Sequence, residues 1–128
     1  DDVERLYLHN NKISGSIPTF LERLDDLTHL RLNDNALTGV IPGMHLERLY
    51  KLRVLHLQNN QLSGQVPEKL ELLKYLEEVL IQGNRLTGSM PEGVCGLREN
   101  GVLEELQADC GDSADSEVYC DCCTACFD

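Results

Sequence analysis

One pattern dominates this chain: a block of apolar residues, an Asn, a Gly and an Ile-Pro pair that returns every 24 or 25 residues. Its first copy is Val3-x-x-Leu6-x-Leu8-x-x-Asn11-x-Ile13-x-Gly15-x-Ile17-Pro18. The same slots are filled by Leu27, Leu30, Leu32, Asn35, Leu37, Gly39, Ile41 and Pro42 in the second copy. The third has Leu52, Leu55, Leu57, Asn60, Leu62, Gly64, Val66 and Pro67, and the fourth Leu76, Val79, Ile81, Asn84, Leu86, Gly88, Met90 and Pro91. A fifth copy opens with Leu103, Leu106 and Ala108 and then fails, with Gly111 where the Asn is due. Self-similarity at this period marks a solenoid, because a single unit cannot bury its apolar side and must stack on its neighbours.

Each slot has a physical job. The Leu-x-Leu alternation has period two and turns both leucines to one side of a strand. Stacked strands then form a parallel sheet over one aliphatic core. The Asn stands where the chain turns inward, and its amide is suited to backbone groups left unpaired in its own coil and in the next. The Gly permits positive φ or close backbone approach, and the Pro can start a helical turn. Glu68 to Leu73 has helix-like spacing, so short α- or 3-10-helical turns are expected on the convex side.

These copies resemble the plant-type leucine-rich repeat, a family of receptor-kinase ectodomains and secreted polygalacturonase inhibitors. The resemblance covers residues 3 to 108 and implies an α/β solenoid of about five coils. It also implies a right-handed twist, a parallel sheet on the concave face and an extra short strand at Ser16-Ile17, Val40-Ile41, Gln65-Val66 and Ser89-Met90. An N-terminal cap of the family kind is missing, so coil one is expected to expose an apolar edge. Residues 1–108 are read as the repeats and 109–128 as an acidic, cysteine-rich cap. Because the first residues already lie inside a repeat, the chain reads as a mature or trimmed fragment.

All six cysteines are C-terminal: Cys95, Cys110, Cys120, Cys122, Cys123 and Cys126. An even set in a short polar tail reads as a disulfide framework from an oxidising compartment. Cys95 lies one coil before the cap and can tie it to the last full repeat. Fifteen connectivities remain open for six cysteines, with Cys122–Cys123 the least favourable because adjacent residues bridge poorly. The tail Cys120-Asp-Cys-Cys-Thr-Ala-Cys126 is also similar to the end of short leucine-rich-repeat proteins of microalgae. The competing reading, four thiolates on zinc, lacks the two separated cysteine pairs of a zinc ribbon. The acidic residues Asp109, Asp112, Asp115, Glu117 and Asp121 do not follow EF-hand spacing and read as a solvated loop. No metal or cofactor is expected.

The net charge of −11 excludes nucleic acid as a natural partner, since binding it needs a concentrated basic surface. Eight of the acidic residues lie beyond Val102, where no Lys or Arg occurs. No apolar run is long enough to span a bilayer, so membrane contact is expected only through segments outside this chain. The solenoid is expected to be a monomer, secreted or at the cell surface. No Asn-x-Ser/Thr acceptor for N-linked glycans occurs.

Function is expected on the outward positions of the concave strands, which form three columns. They are Arg5, His29, Val54, Glu78 and Glu105; Tyr7, Arg31, His56, Leu80 and Gln107; and His9, Asn33, Gln58, Gln82 and Asp109. Coils one to three carry the basic and aromatic members, and coils four and five the acidic ones. The ligand-binding set is read as Arg5, Tyr7, His9, His29, Arg31, Asn33, His56, Gln58, Glu78 and Gln82. A protein, peptide or glycan partner is expected, with carboxylate or sulfate groups suiting coils one to three and binding strengthening below about pH 6.5 as the histidines protonate. No nucleophile elbow, phosphate loop or facing carboxylate pair is present, so no catalysis is expected. The alternative is a structural or surface-adhesion protein, acting on ice or mineral through the recurring Ser14, Thr38, Ser63 and Thr87.

Overall fold

The structure, a computed structural model, describes residues 2–112 and 117–128. In chain order the elements are β1 (Arg5–Tyr7), β2 (Ser14–Gly15), β3 (His29–Arg31), β4 (Ala36–Leu37), α1 (Gly43–Leu46), β5 (Val54–His56), β6 (Ser63–Gln65), β7 (Glu78–Leu80), β8 (Arg85–Ser89), α2 (Glu92–Asn100), β9 (Glu105–Ala108), β10 (Val118–Tyr119) and β11 (Ala125–Cys126). Thr19–Arg23 and Glu68–Leu72 form 3-10 turns. The odd-numbered strands make one six-stranded parallel sheet in the order β1-β3-β5-β7-β9-β11. The leucine side chains of this sheet face the helical turns, and Leu27, Leu30, Leu37, Leu52, Leu55, Leu57 and Leu62 have no solvent exposure. Area removed from water at about 25 cal/mol per Å² makes this aliphatic column the main stabilising term.

The second strand of each coil exists, but two residues or so earlier than expected. It falls at β2, β4, β6 and β8, so Ser16, Ile17, Ile41, Val66 and Met90 lie outside it, while Gln65 and Ser89 end it and Val40 makes an isolated bridge to Ser63. Gly15, Gly39, Gly64 and Gly88 have φ between 79° and 84°; the strand includes Gly15, Gly64 and Gly88 and stops at Leu37, two residues before Gly39, in coil two.

The Asn ladder also differs in direction from expectation. Asn60 donates from Nδ2 to Leu57 and Gln58 in its own coil and to Leu32 in the preceding one, while its Oδ1 accepts from the Leu37 amide. Asn35 and Asn84 repeat this, reaching Leu8 and Ile13, and Leu57 and Leu62. Each amide therefore reaches back to the preceding coil rather than forward. The turn just before each ladder Asn has positive φ at Asn10, Asp34, Asn59 and Gly83. At Gly83 a Cβ would collide with the Asn59 side-chain oxygen and crowd the Asn59 backbone, which favours glycine in this coil.

Coil one exposes its apolar edge, as expected: Val3 and Leu8 are over a third exposed, whereas their counterparts Leu27 and Leu32 are buried.

The even-numbered strands form a three-stranded sheet, β6-β8-β10, and a two-stranded one, β2-β4, and the tail adds an edge strand to the six-stranded and to the three-stranded sheet. β11 adds to β9 with Ala125 opposite Gln107, and β10 adds to β8 with Val118 opposite Gly88. Three disulfides hold it: Cys95–Cys122, Cys110–Cys126 and Cys120–Cys123. Arg98 at the end of α2 donates to the Cys122, Leu103 and Glu104 carbonyls. Asp109 accepts from the Gly83 and Asn84 amides at 2.9 and 3.1 Å, partly filling the role of the ladder Asn that is absent at Gly111.

Candidate functional site

Strand register places the columns as expected. Arg5, His29, Val54, Glu78 and Glu105 lie opposite one another, as do Tyr7, Arg31, His56, Leu80 and Gln107. The third column is held by backbone bonds from Asn10, Asp34 and Asn59 to the carbonyls of Asn33, Gln58 and Gln82.

The face divides into two chemically distinct parts. On coils one and two, the Arg31 guanidinium lies 4.6 Å from the centre of the Tyr7 ring, and Tyr7 meets His9 edge-on at 6.0 Å. A cation over an aromatic face is attracted by the ring quadrupole, which fixes the guanidinium in place. Tyr7 is 44% exposed, so its platform is accessible. His29 Nδ1 lies 2.9 Å from the Thr28 hydroxyl. Its pKa is lowered from 6.5, first by burial and then by Arg5, Arg31 and Arg53, with Glu77 opposing. The expected strengthening by His29 protonation therefore moves to a lower pH than the ordinary histidine range.

On coil three the basic character ends. His56 is nearly buried and lies 3.0 Å from Glu78 of coil four. The set read from sequence is thus brought to one face, but His56 turns toward the acidic half rather than joining the Arg5, His29 and Arg31 group. His45 is on the other side of the solenoid, 2.6 Å from Glu22. Coils four and five form an amide and acid chain in which Gln82 donates to Gln107, Gln107 to Glu105, and Thr124 of the tail to Glu105.

A feature of this face was not legible in the sequence. His9 Nδ1, Arg31 Nε, Asn33 Oδ1, Gln58 Oε1 and Gln82 Oε1 are buried without a hydrogen-bond partner. Residue type and alternation identify the columns but not the rotamers that leave one or two polar atoms per coil buried and unpaired on coils one to four. Leaving such an atom unpaired costs about 1–3 kcal/mol, and as placed these atoms are closed to a partner.

The candidate metal clusters resolve differently. Cys110, Cys120 and Cys123 converge, as do Cys95, Asp121 and Cys122, but every cysteine is in a disulfide. A disulfide sulfur has no thiolate to offer zinc. Asp109 of the acidic stretch is occupied by backbone amides, and Asp115 lies outside the described residues.

A family model described as Leucine Rich Repeat matches residues 2–24, 26–44, 51–73 and 75–97. No curated protein matches the chain in sequence. Among solved structures, the plant peptide hormone receptor RGFR1 in complex with RGF2 is similar at 34% identity and a TM-score of 0.77, over 84% of this chain and 17% of the receptor. The BIR2 ectodomain from Arabidopsis thaliana is similar at 26% identity and a TM-score of 0.74, over 94% of this chain and 72% of that one. A plant ice-binding protein is similar at 28% identity and a TM-score of 0.71, over 83% of this chain and 33% of that one. The chain thus spans under a fifth of the hormone receptor and a third of the ice-binding protein.

Proposed function

The chain belongs to the leucine-rich-repeat family, and on that premise we propose that it is a non-enzymatic extracellular recognition module. Its six-stranded face binds a protein, peptide or glycan, with residues 1–108 as the reading surface and 109–128 as the closing cap. The observation that carries this is the exposed Tyr7 platform with Arg31 held over it. Aromatic and Arg side chains concentrate interface energy. The similar structures of the plant peptide hormone receptor RGFR1 with RGF2 and of the HAESA ectodomain with an IDA peptide hormone ligand favour a peptide. The six cysteines in disulfides favour an oxidising compartment.

Selection from displayed peptides and a glycan array tests this. Ligands recovered on the wild type are expected to lose binding in Tyr7→Ala and Gln58→Ala but not in Met44→Ala on the convex side. Ligands that depend on Met44 and ignore Tyr7 contradict the reading.

Adhesion to ice is a second reading, favoured by the likeness to the plant ice-binding protein. A flush ladder of hydroxyls is its natural device, and the second sheet argues against one. Its register sets Ser63 opposite Arg85 and Gln65 opposite Thr87, two residues out of step with the repeat. Thermal hysteresis that disappears in Thr38→Ala with Thr87→Ala would revive it.

A further inference from the structure

We propose that Arg5, His29 and Arg31 on the first two coils form a binding site for one oxyanion, a carboxylate or sulfate-type group, seated beside the Tyr7 platform. This deepens the recognition reading by naming the chemistry of the group a partner presents there, and it rests on that reading only for the group belonging to a larger ligand.

The molecule carries a net −11, and Arg48, Lys51, Arg53 and Lys69 each lie within ion-pair distance of a carboxylate. Among the described residues no ion pair engages Arg5 or Arg31, nor Lys12, Arg23, Lys74 or Arg85. Arg5 and Arg31 differ from those four in lying on adjacent strands of the concave sheet, Arg5 opposite His29 and Tyr7 opposite Arg31. Two uncompensated guanidinium groups on neighbouring strands of an acidic protein repel each other, and an anion placed between them relieves that repulsion.

The Arg31 guanidinium is held against Tyr7; its Nε is buried and closed to a ligand, so the terminal N–H groups, which no hydrogen bond engages among the described residues, are the ones offered to an anion. A guanidinium presents its N–H groups in a planar fork that matches carboxylate and sulfate oxygens. Its orientation here is set before any ligand arrives, which reduces the ordering cost of binding.

The Thr28 hydroxyl donates to the Glu4 carbonyl at 3.1 Å, so its oxygen is left to accept from His29 Nδ1 at 2.9 Å. Nε2 is then the free nitrogen, an acceptor when the ring is neutral and a donor when it is protonated. The charged groups acting on the ring are Arg5 from β1, Arg31 from its own strand, and Arg53 and Glu77 from the next two coils. Arg53 and Glu77 pair with each other at 2.6 Å, which leaves Arg5 and Arg31 to set the local field. A bound anion opposes that field and favours the protonated ring, so binding takes up a proton and tightens as the pH falls below 6.5. Strands spaced about 4.8 Å apart bring these three donors within reach of a single oxyanion group.

Imidazole NMR on the full chain tests the site directly, with sodium methyl sulfate and sodium acetate as probes at constant ionic strength. The His29 signals are expected to shift saturably, and its titration midpoint to rise when the probe is present. His45 on the convex side, already engaged by Glu22, is expected to stay unchanged. Arg5→Gln and Arg31→Gln should each weaken the probe by roughly tenfold, the scale of one charged hydrogen bond. Tyr7 is a positioning residue: Tyr7→Phe should retain binding and Tyr7→Ala should weaken it. The probe that binds more tightly identifies the group a partner carries. Linear shifts of equal size at His29 and His45, unchanged by Arg31→Gln, mean salt screening alone and overturn the proposal. A displayed ligand that needs Tyr7 while neither probe binds also overturns it, and leaves the recognition reading standing. Saturable probe binding with no Tyr7-dependent ligand does the reverse.

Discussion

Coil three and the C-terminal tail reach the same backbone arrangement by different chemistry. Coil three places β5 and β6 in the two sheets over Leu52, Leu55, Leu57, Leu62, Leu70 and Leu73, all without solvent exposure, and locks its turn with Asn60. The tail also adds one strand to each sheet, yet Val118 is the one buried hydrophobic among its described residues, while Tyr119 and Phe127 are exposed. Its place is kept by the Cys95–Cys122 disulfide to α2, by Arg98 and by the Thr124 hydroxyl on the Leu106 amide, while Cys110–Cys126 and Cys120–Cys123 brace the tail within itself. The edge of the preceding coil dictates where a strand can lie, and whether it stays there depends on burial in one case and on cross-links in the other. A solenoid can thus be closed with almost no further core, which the acidic, cysteine-dense tail could not have supplied.

Four changes sharpen or break this comparison. The largest effect is expected at the centre of the core, where Leu55→Ala should cost about 3–5 kcal/mol in urea unfolding. A loss below about 1 kcal/mol would mean that coil three does not depend on burial. Next, Cys95→Ala with Cys122→Ala opens a link between residues 27 apart, worth about 3–4 kcal/mol in the chain-entropy model. Amide hydrogen exchange should then rise in β10 and β11 while β3 and β5 stay protected. Equal loosening throughout would make the tail part of one cooperative core.

Asn60→Ala should cost about 2–3 kcal/mol, because it strands buried carbonyls and the Leu37 amide. Asn11→Ala, which removes bonds only within coil one, should stay within about 0.5 kcal/mol of wild type. The smallest effect is acid sensitivity of the repeats. Hydrogen bonds from His45 and Lys51 hold the Glu22 and Asp26 carboxyls below their ordinary values. Groups with lowered folded pKa stabilise above the unfolded value and lose that contribution as the pH falls through the folded one. For these two the loss begins below 4.5 and 3.8. His29 acts in the same direction at higher pH, since its lowered pKa favours the unfolded state once the pH drops below 6.5. Acid should therefore loosen coils one to three before the tail, first through His29 and then through Glu22 and Asp26, as read by amide exchange at pH 7, pH 5 and pH 3.

The repeats were legible because each slot answers to one constraint. Period-two leucines could only face a shared core, and the columns from Arg5 to Asp109 followed from that alternation. The tail was legible only as a cross-linked cap. Its two strands, Val118–Tyr119 and Ala125–Cys126, are too short to carry a periodic signal, and their partners lie in a preceding coil. The ladder's direction was missed because Asn spacing alone does not say which neighbour an amide reaches. On the concave face, residue types identified Arg5, Tyr7, His29 and Arg31 as a group. The separation of His56 depended on the side-chain contact with Glu78, which alternation does not encode.

Closure of the solenoid by disulfides is the central feature, and it favours an oxidising compartment. The most direct test is the intact mass of the protein after thiol alkylation, with and without prior reduction, together with its zinc content. The account predicts no alkylation of the unreduced protein, six adducts after reduction, and no zinc. Free thiols before reduction with stoichiometric zinc would contradict it, and would move the search for a partner away from the cell surface.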